Sequence, residues 1–527
     1  MTAIERSRVV AVVGTGTMGQ GIAQVALVAG HPVRLYDAVP GRAEQAAGAV
    51  AARLDRLTEK GRLDPEARDS AKARLLPAAD LSELADAALV VEAVLEQLTV
   101  KQELFAKLEE IVGDDCLLAT NTSSLSVTAV AGALRRPGRF VGLHFFNPAP
   151  LLKLVEVVSG HATEETTATR AWETAAAWGK TPVRCADTPG FVVNRLARPY
   201  YAEALRLYEE RAADPATIDA VLRECGGFRM GPFELTDLIG QDVNEAVTRS
   251  VWDSFFQDVR FTPSLAQRRL VESGRLGRKS GRGWFSYEDG APAPVPRTEP
   301  PAEAPSSVIL QGELFVAAAL PELIEEAGIE VIVKDDADPE YPGWLELPCG
   351  TRLFLTDGEP ADGSYLRLIH FDLALDYRTA TRMALAPSPT VSEESVRTAV
   401  GLFQALGKQV SVIADVPGMI VARTVAMLVD FALDAEARGV ASAEDIDTAM
   451  RLGVNYPRGP LDWGAELGAA RTLYLLERLH QEYPTGRYGA SQALRRLAAA
   501  ETATAAEADP AAETTWATGT VSEGAGS

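Results

Sequence analysis

Cysteine is scarce in this chain: four residues in 527, each standing alone. Cys116, Cys185, Cys225 and Cys349 form no Cys-x-x-Cys pair and share no metal-ligand spacing with histidine. That pattern excludes a disulfide framework and a zinc ribbon. It fits a reducing compartment, and the cytoplasm is the expectation. Long apolar runs are missing too, since none approaches the roughly 18 residues that a membrane helix needs. The N-terminal Met-Thr-Ala-Ile-Glu-Arg-Ser-Arg leads straight into a strand pattern, so no signal peptide is expected. Positive charge is in short supply: 51 Lys and Arg against 73 Asp and Glu give a net charge of −22. A nucleic-acid partner would need a local basic patch, which argues against that class. Histidine occurs only five times, so each one is informative.

What is present is ordinary globular sequence, 47% hydrophobic and 24% charged, in a chain too long for one core. The run Arg8–Val13 is apolar and β-branched, a helical pattern follows through Ala29, and Val33–Tyr36 reads as the next strand. Residues 40–75 read as a helical hairpin. Ala88–Ala93, Cys116–Thr120 and Phe140–Phe145 are further short strands. The fold expected is α/β, a Rossmann-type doubly wound, mostly parallel sheet, followed by an all-α domain. A degenerate α/β region and a second all-α copy follow. The boundaries expected are 1–187 for the nucleotide domain and 188–288 for the first helical domain. A Pro-rich linker at 289–306, the degenerate region at 307–410, the second helical domain at 411–500 and a disordered tail at 501–527 complete the chain.

The second helical copy shows as a gapless repeat. Pro189-Gly190 recurs as Pro417-Gly418, Asp219 as Asp447, Gly231-Pro232 as Gly459-Pro460 and Gly240 as Gly468, each 228 residues later.

Gly14-Thr-Gly16-Thr17-Met18-Gly19 sits between the first strand and its helix, and Asp37 ends the next strand. A glycine triplet alone is weak evidence; in this strand–helix context it is strong. The glycines let the backbone approach a pyrophosphate at the helix N-terminus. Asp37 should accept from ribose hydroxyls and repel a 2′-phosphate, which favours NAD over NADP, although Arg42 lies close by.

Four separated residues carry the chemistry. Oxidising a secondary alcohol needs a base titrating near neutrality, and His144 is a candidate. It shares a strand face with Phe140, Gly142 and Phe146, so a satisfied core histidine is the bland alternative. Glu156 shares a face with Leu154 and Val158, where a carboxylate needs a partner. A His144–Glu156 pair supplies one, the acid fixing the tautomer and stabilising the imidazolium; an exposed edge-strand Glu is the alternative. Ser123 follows the strand ending at Thr120, where ligands collect, but Thr122, Ser123 or Ser124 could equally be a helix cap. Asn194 could cap a helix or hold a substrate carbonyl. The cations Arg53, Arg56, Lys60, Arg62, Arg68, Lys72 and Arg74 are interleaved with acids. They read as a solvated surface or as a site for an anionic substrate handle.

With these residues in view the chain resembles the L-3-hydroxyacyl-CoA dehydrogenase family. The likeness rests on Gly14–Gly19, Val91-Glu92-Ala93, Asn121-Thr-Ser-Ser-Leu125, Leu143-His-Phe-Phe-Asn-Pro148, Lys153-Leu-Val-Glu-Val-Val158, Asp187–Arg195 and Gly231-Pro-Phe-Glu234, and spans residues 8 to about 287. It implies catalytic roles for His144 and Glu156 and substrate contacts by Ser123 and Asn194. It implies cofactor contacts by Asp37, Glu96, Lys101, Ser123, Asn147 and Lys279, and CoA contacts by Arg53 and Lys60. The length and the second helical domain resemble the family's long bacterial form, whose members act on 3-hydroxyadipyl-CoA in phenylacetate breakdown or on 3-hydroxybutyryl-CoA. The implied reaction is reversible oxidation of a 3-hydroxyacyl-CoA, with hydride passing to nicotinamide C4. An acyl-CoA is the partner expected, with no metal, nucleic acid or membrane, and with a possible homo-oligomer.

At the same offset of 228, Asn194 becomes Ala422, Glu156 becomes Ala384 and His144 becomes Asp372, unless a two-residue slip brings in His370. The second half therefore reads as a relic without its own site, its helical domain packed on the first. Two alternatives compete: a dehydrogenase of free hydroxy or sugar acids, and a non-catalytic NAD-binding protein.

Overall fold

Six short, mostly apolar runs build one sheet edge to centre: β1 (Val9–Val13), β2 (Val33–Tyr36), β3 (Leu75–Ala78), β4 (Ala87–Glu92), β5 (Leu117–Thr120) and β6 (Phe140–Phe145). All neighbours among them pair in parallel, and β4 to β6 are buried along their whole length, as strands covered on both faces must be. Then β7 (Leu154–Ser159) turns back antiparallel to β6, and β8 (Thr181–Ala186) runs parallel to β7, giving the order β3-β2-β1-β4-β5-β6-β7-β8. In a computed structural model covering residues 3–334, 343–361 and 367–508, the chain divides into two units. The first is Met1–Leu196 with Ala435–Gly459, the second Ala197–Asp434 with Pro460–Ser527.

The first unit contains the eight-stranded sheet and the helical hairpin Arg42–Glu59 and Pro65–Ala73, the latter capped by the Asp64 carboxylate on the Glu66 and Ala67 N–H groups. Its core joins Val10, Val12, Leu35, Val91, Leu143 and Val157. The distant segment explains its own membership. The helix Ala443–Gly453 packs on β7 and β8, and the Ala186 N–H donates to the Val440 carbonyl at 2.8 Å. Gly453 is required by closeness: a Cβ there would fall 2.8 Å from Leu154 Cδ2 and 2.9 Å from Val193 Cγ2.

The second unit holds a seven-stranded mixed sheet in the order β10-β9-β11-β12-β13-β14-β15. Its strands are β9 (Ser307–Gln311), β10 (Glu330–Lys334), β11 (Trp344–Glu346), β12 (Arg352–Leu355), β13 (Leu368–Phe371), β14 (Arg382–Pro387) and β15 (Gln409–Val412). The sequence-drawn boundary at 410 thus cuts the last strand. Here the helix Pro215–Glu224, from the first helical copy, packs on β14. The Ala414 N–H donates to the Ala212 carbonyl at 3.0 Å, the 228-residue image of the Ala186–Val440 bond. Each helical copy has lent its equivalent helix to the sheet of the other half of the sequence.

The residues the repeat retains have packing reasons. A Cβ on Gly231 would fall 2.2 Å from Asp219 Cγ, and one on Gly459 falls 2.1 Å from Asp447 Cγ. Gly190 and Gly418 take φ of 74° and 71°, and the next residues, Phe191 and Met419, are also left-handed at 49° each.

Two sequence expectations change. The stretch 289–306 has no regular structure, yet it is tied down: Arg297 N–H donates to Thr217 Oγ1, Glu299 N–H to the Val410 carbonyl and Ala302 N–H to Gln404 Oε1. The tail expected to be disordered from 501 instead continues the helix Gln492–Ala508, and residues 509–527 lie outside the described residues. Ala503 is exposed, but alanine is the best helix former, and Glu501 accepts from the Ala469 and Ala470 N–H groups.

The two helical copies meet around Glu203, fully buried. Its oxygens accept from Arg423 Nε at 2.8 Å, Arg487 Nε at 3.0 Å and the Tyr488 hydroxyl at 2.8 Å. Burial opposes its ionisation most strongly, but Arg487 and Arg423, helped by Arg206 and the Tyr488 hydroxyl, outweigh it and hold the carboxyl at about 2. Glu203→Gln leaves buried guanidiniums without their counter-charge and should destabilise the fold by roughly 3–5 kcal/mol at neutral pH in urea unfolding. A folded-state value below the unfolded one stabilises above the unfolded value, and that stabilisation is lost as pH falls through the folded one. The gap between wild type and variant should therefore close from about pH 4.5 down to about pH 2; a pH-independent gap refutes the assignment.

Candidate active site

The antiparallel turn-back of β7 creates the central geometry. His144 on β6 and Glu156 on β7 are register partners, directly opposite each other. His144 Nδ1 lies 2.7 Å from Glu156 Oε2, with the imidazole 5% exposed and the acid fully buried. The other carboxylate oxygen, Oε1, accepts the Val192 and Val193 N–H groups at 3.1 and 2.9 Å. Glu156 thus also caps the short helix Val193–Leu196 that carries Asn194. Phe146 and Phe191 close on the imidazole with ring centroids at 4.5 and 5.8 Å, leaving it in a largely apolar surround. A carboxylate on Nδ1 selects the tautomer that leaves the Nε2 lone pair available as a base.

Ser123 and Asn194 are brought together by the same unit: Asn194 Nδ2 donates to the Ser123 carbonyl at 3.4 Å. The loop Asn121–Leu125 is held from two sides. Asn121 Oδ1 accepts the Phe145 N–H at 2.8 Å. Glu96 accepts the Thr122 hydroxyl at 2.6 Å, the Ser123 and Ser124 N–H groups at 3.0 and 3.2 Å, and the Ser124 hydroxyl at 2.9 Å. Burial pushes the Glu96 carboxyl up, but Lys101 and these hydrogen bonds bring it below its ordinary value. The helix after this loop is capped by Ser126, which accepts from the Ala129 N–H, so Ser123 does not fill that role.

Lys101 is 1% exposed and pairs with both Glu92, at 2.6 Å, and Glu96, at 3.1 Å. Glu92 escaped the sequence reading as a site residue. It ends β4 fully buried and accepts from Lys101, Thr120 Oγ1 and the Val94 N–H. An acid closing a six-residue apolar strand, nine residues before a lysine, was the available signal.

The glycine loop separates packing from ligand space. A Cβ on Gly14 would fall 2.5 Å from the Ala93 carbonyl oxygen, and one on Gly19 falls 1.8 Å from that of Gly14. A Cβ on Gly16 would meet nothing within 4 Å, so protein packing does not demand that glycine. The helix Thr17–Ala29 starts there without a side-chain cap, and its first backbone bond runs from Gln20 to Gly16. The N–H groups of Thr17, Met18 and Gly19 are the orphan donors of a helix start, a donor set that suits a pyrophosphate. Asp37 accepts from Thr15 N–H and Oγ1 at 3.0 and 2.5 Å and from the Val39 N–H at 3.0 Å. Burial opposes its charge, yet these bonds and Arg42 hold the carboxyl below its ordinary value. The residues therefore fit a dinucleotide with free ribose hydroxyls.

The remaining positions are less concentrated. Asn147 is exposed just beyond β6. Arg53 donates to Gln20 Oε1 at 2.8 Å, against the glycine-loop helix, while Lys60 is exposed and makes no ion pair among the described residues. Lys72 is neutralised by Asp55, and Arg68 by Asp55 and Asp69. Lys279 belongs to the second unit, where it pairs with Asp242 at 2.5 Å.

The corresponding positions of the second sheet settle the register. His370 faces Ala386, and the Asp372 N–H donates to the Ala384 carbonyl, so Asp372 and not His370 occupies the His144 position. Asp372 accepts the N–H groups of Ile420, Val421, Ala422 and Leu373 at 2.8–3.0 Å. Burial raises its carboxyl to about 6 despite these donors. No base–acid pair survives there.

Comparison with known proteins agrees with this geometry. Residues 9–188 match the 3-hydroxyacyl-CoA dehydrogenase NAD-binding domain, and 190–287 and 418–513 each match that family's C-terminal domain. Residues 353–417 match the 3-hydroxybutyryl-CoA dehydrogenase reduced Rossmann-fold domain. The 3-hydroxyadipyl-CoA dehydrogenase of Escherichia coli K12 is 46% identical over 492 residues, 93% of this chain and 98% of that protein. A 3-hydroxybutyryl-CoA dehydrogenase of Mycobacterium tuberculosis is 40% identical over 280 residues, 53% of this chain and 98% of its own. The crystal structure of 3-hydroxybutyryl-CoA dehydrogenase from E. coli K12 superposes with a TM-score of 0.85 at 44% identity, covering 94% of this chain and 99% of that one. The chain is an NAD-dependent oxidoreductase and belongs to the 3-hydroxyacyl-CoA dehydrogenase family, in the long form with a second C-terminal domain.

Proposed function

We propose that the chain oxidises an L-3-hydroxyacyl-CoA reversibly to the 3-ketoacyl-CoA, with His144 as general base and Glu156 as its orienting acid. The 2.7 Å contact between His144 Nδ1 and Glu156 Oε2 carries this reading. Nε2 accepts the 3-hydroxyl proton, and the buried carboxylate stabilises the resulting imidazolium. NAD, when bound, supplies the hydride acceptor. Ser123 and Asn194 position the substrate oxygens, and their mutual contact supports a shared task. In the cofactor site Gly14, Gly16, Thr17, Met18 and Gly19 cradle phosphate and Asp37 holds ribose, with Glu96, Lys101, Asn147 and Lys279 in support. Arg53 and Lys60 hold the CoA handle; Lys60 is exposed and makes no ion pair among the described residues. A short acyl group, 3-hydroxybutyryl or 3-hydroxyadipyl, is favoured by the relatives named for those substrates. Residues 307–500 form a relic without a second site, its helical copy imitating within one chain a contact between subunits. The cytoplasm is the compartment proposed, in keeping with four free cysteines. No described helix is long and apolar enough to cross a membrane.

Four experiments test this. NADH absorbance should rise with 3-hydroxybutyryl-CoA or 3-hydroxyadipyl-CoA and not with free 3-hydroxybutyrate; turnover of the free acid alone refutes the thioester. His144→Ala should lower kcat by roughly 10²–10⁴-fold while NAD still binds. Glu156→Gln keeps an oxygen for the Val192 and Val193 N–H groups, so it should fold and lose turnover, whereas Glu156→Ala should also lose stability. Finally, calorimetric titration should give one NAD per chain, for wild type and for Ala422→Asn; a stoichiometry of two overturns the relic.

A further inference from the structure

The two sheets end differently. Without β3 the first order reads β2-β1-β4-β5-β6-β7-β8, and the second sheet repeats that pattern in its seven strands. Strands β9 and β10 are parallel as β1 and β2 are, and β13 to β15 are arranged as β6 to β8. Strand β10 therefore stands where β2 stands. Among the described residues no strand takes the place that β3 fills beside it.

The outer edge of β10 is open for pairing. The Glu330 N–H donates to the Ser306 carbonyl at 3.1 Å, so Glu330, Ile332 and Lys334 turn their backbone groups toward β9, while Val331 and Val333 turn theirs outward. Those outward groups make no hydrogen bond among the described residues. Sheet edges are commonly blunted by a proline or a charge. The first sheet has such a guard. The Val33 N–H donates to the Arg74 carbonyl, which turns Leu75 and Pro77 outward, and Pro77 has no N–H to offer. The centre of β10, Val331-Ile332-Val333, carries neither proline nor charge, and Ile332 is 40% and Val333 63% exposed.

The strand is also its own complement. Laid antiparallel on a copy of itself about Ile332, Glu330 faces Lys334 at both ends and Val331 faces Val333. Both charged residues are exposed and make no ion pair among the described residues. In this register the outward-facing residues oppose each other, so each pair exchanges two backbone hydrogen bonds. A slip of one residue sets an outward-facing residue against an inward-facing one, and a slip of two separates Glu330 from Lys334.

We propose that the edge of β10 receives a second copy of this chain, the two strands pairing antiparallel about a twofold axis at Ile332 and joining two seven-stranded sheets into one. The contact is self-complementary, so it closes at a dimer and does not grow into a fibre. Five residues make a short contact, and the net charge of −22 on each copy opposes it, so the dimer is weak and forms reversibly with concentration.

Sedimentation velocity of the full chain across a wide concentration range should show monomer passing into dimer. Glu330→Lys and Lys334→Glu each set like charges opposite one another at both ends, and each should weaken the dimer by about tenfold. An equal mixture of these two variants restores opposite charges and should regain it as a heterodimer, as should the double variant Glu330→Lys/Lys334→Glu. Val333→Pro removes an outward N–H that the sheet itself does not use, and should give a monomer with unchanged circular dichroism. A wild type that stays monomeric throughout overturns the proposal. So does a dimer that survives the single reversals, and so do single reversals whose mixture fails to regain it.

Discussion

A carboxylate sealed from water must find a donor for each oxygen, and Glu156 meets that demand in two directions. One oxygen takes the imidazole of His144; the other takes two backbone N–H groups at the start of the helix bearing Asn194. The orientation of the imidazole and the position of Asn194 therefore depend on one side chain. The second sheet shows which of these duties is structural. There too a buried acid caps the incoming helix, but it is Asp372, on the strand equivalent to that of His144. With the carboxylate moved across the strand pair, an acid retained at 384 would face another buried acid, so Ala384 follows from Asp372. The capping duty persisted while the pairing with imidazole was lost.

Each half of the sequence supplies a helix to the sheet of the other half. The strand that carries Glu156 is covered by the helix Ala443–Gly453, which lies more than 280 residues further along the chain. Reciprocally, the helix Pro215–Glu224 covers β14, where Arg382 Nε donates to Glu224 at 2.9 Å. Local helices cover these sheets as well, Glu165–Ala177 on β7 and β8 and Glu393–Ala405 on β15, so each sheet buries its apolar faces with helices from both halves.

Much of this was legible in the sequence because it rests on local rules. The glycine loop, Asp37, the strand runs and the helical hairpin follow from spacing and burial pattern, and the duplication from an unbroken offset. The His144–Glu156 pair was legible because an acid on an apolar strand face requires a partner. What stayed hidden depends on non-local contacts. Glu92 and Lys101 form an ion pair whose burial only the sheet reveals. The tail past 501 looked too poor in apolar residues to fold, yet a single carboxylate, Glu501, and alanine's helix propensity carry the helix to Ala508. The exchange of helices leaves no trace in a repeat, because both copies keep the same sequence pattern wherever their helices dock.

An internal duplication also separates scaffold from chemistry without any second sequence. Positions that hold the backbone survive in both copies: the left-handed pair after Pro189 and Pro417, the glycines pressed against Asp219 and Asp447, and the buried Arg195 and Arg423. Each survives for a reason that applies twice, since a close approach or a strained turn recurs wherever the fold recurs. Glu156 and Asn194 are not among them. Their counterparts are Ala384 and Ala422, and the capping that Glu156 also provides is done in the second sheet by Asp372. A buried ionisable group is costly unless something pairs with it; Glu156 is paired with His144, whereas its counterpart Ala384 lies opposite Asp372 and forms no such pair.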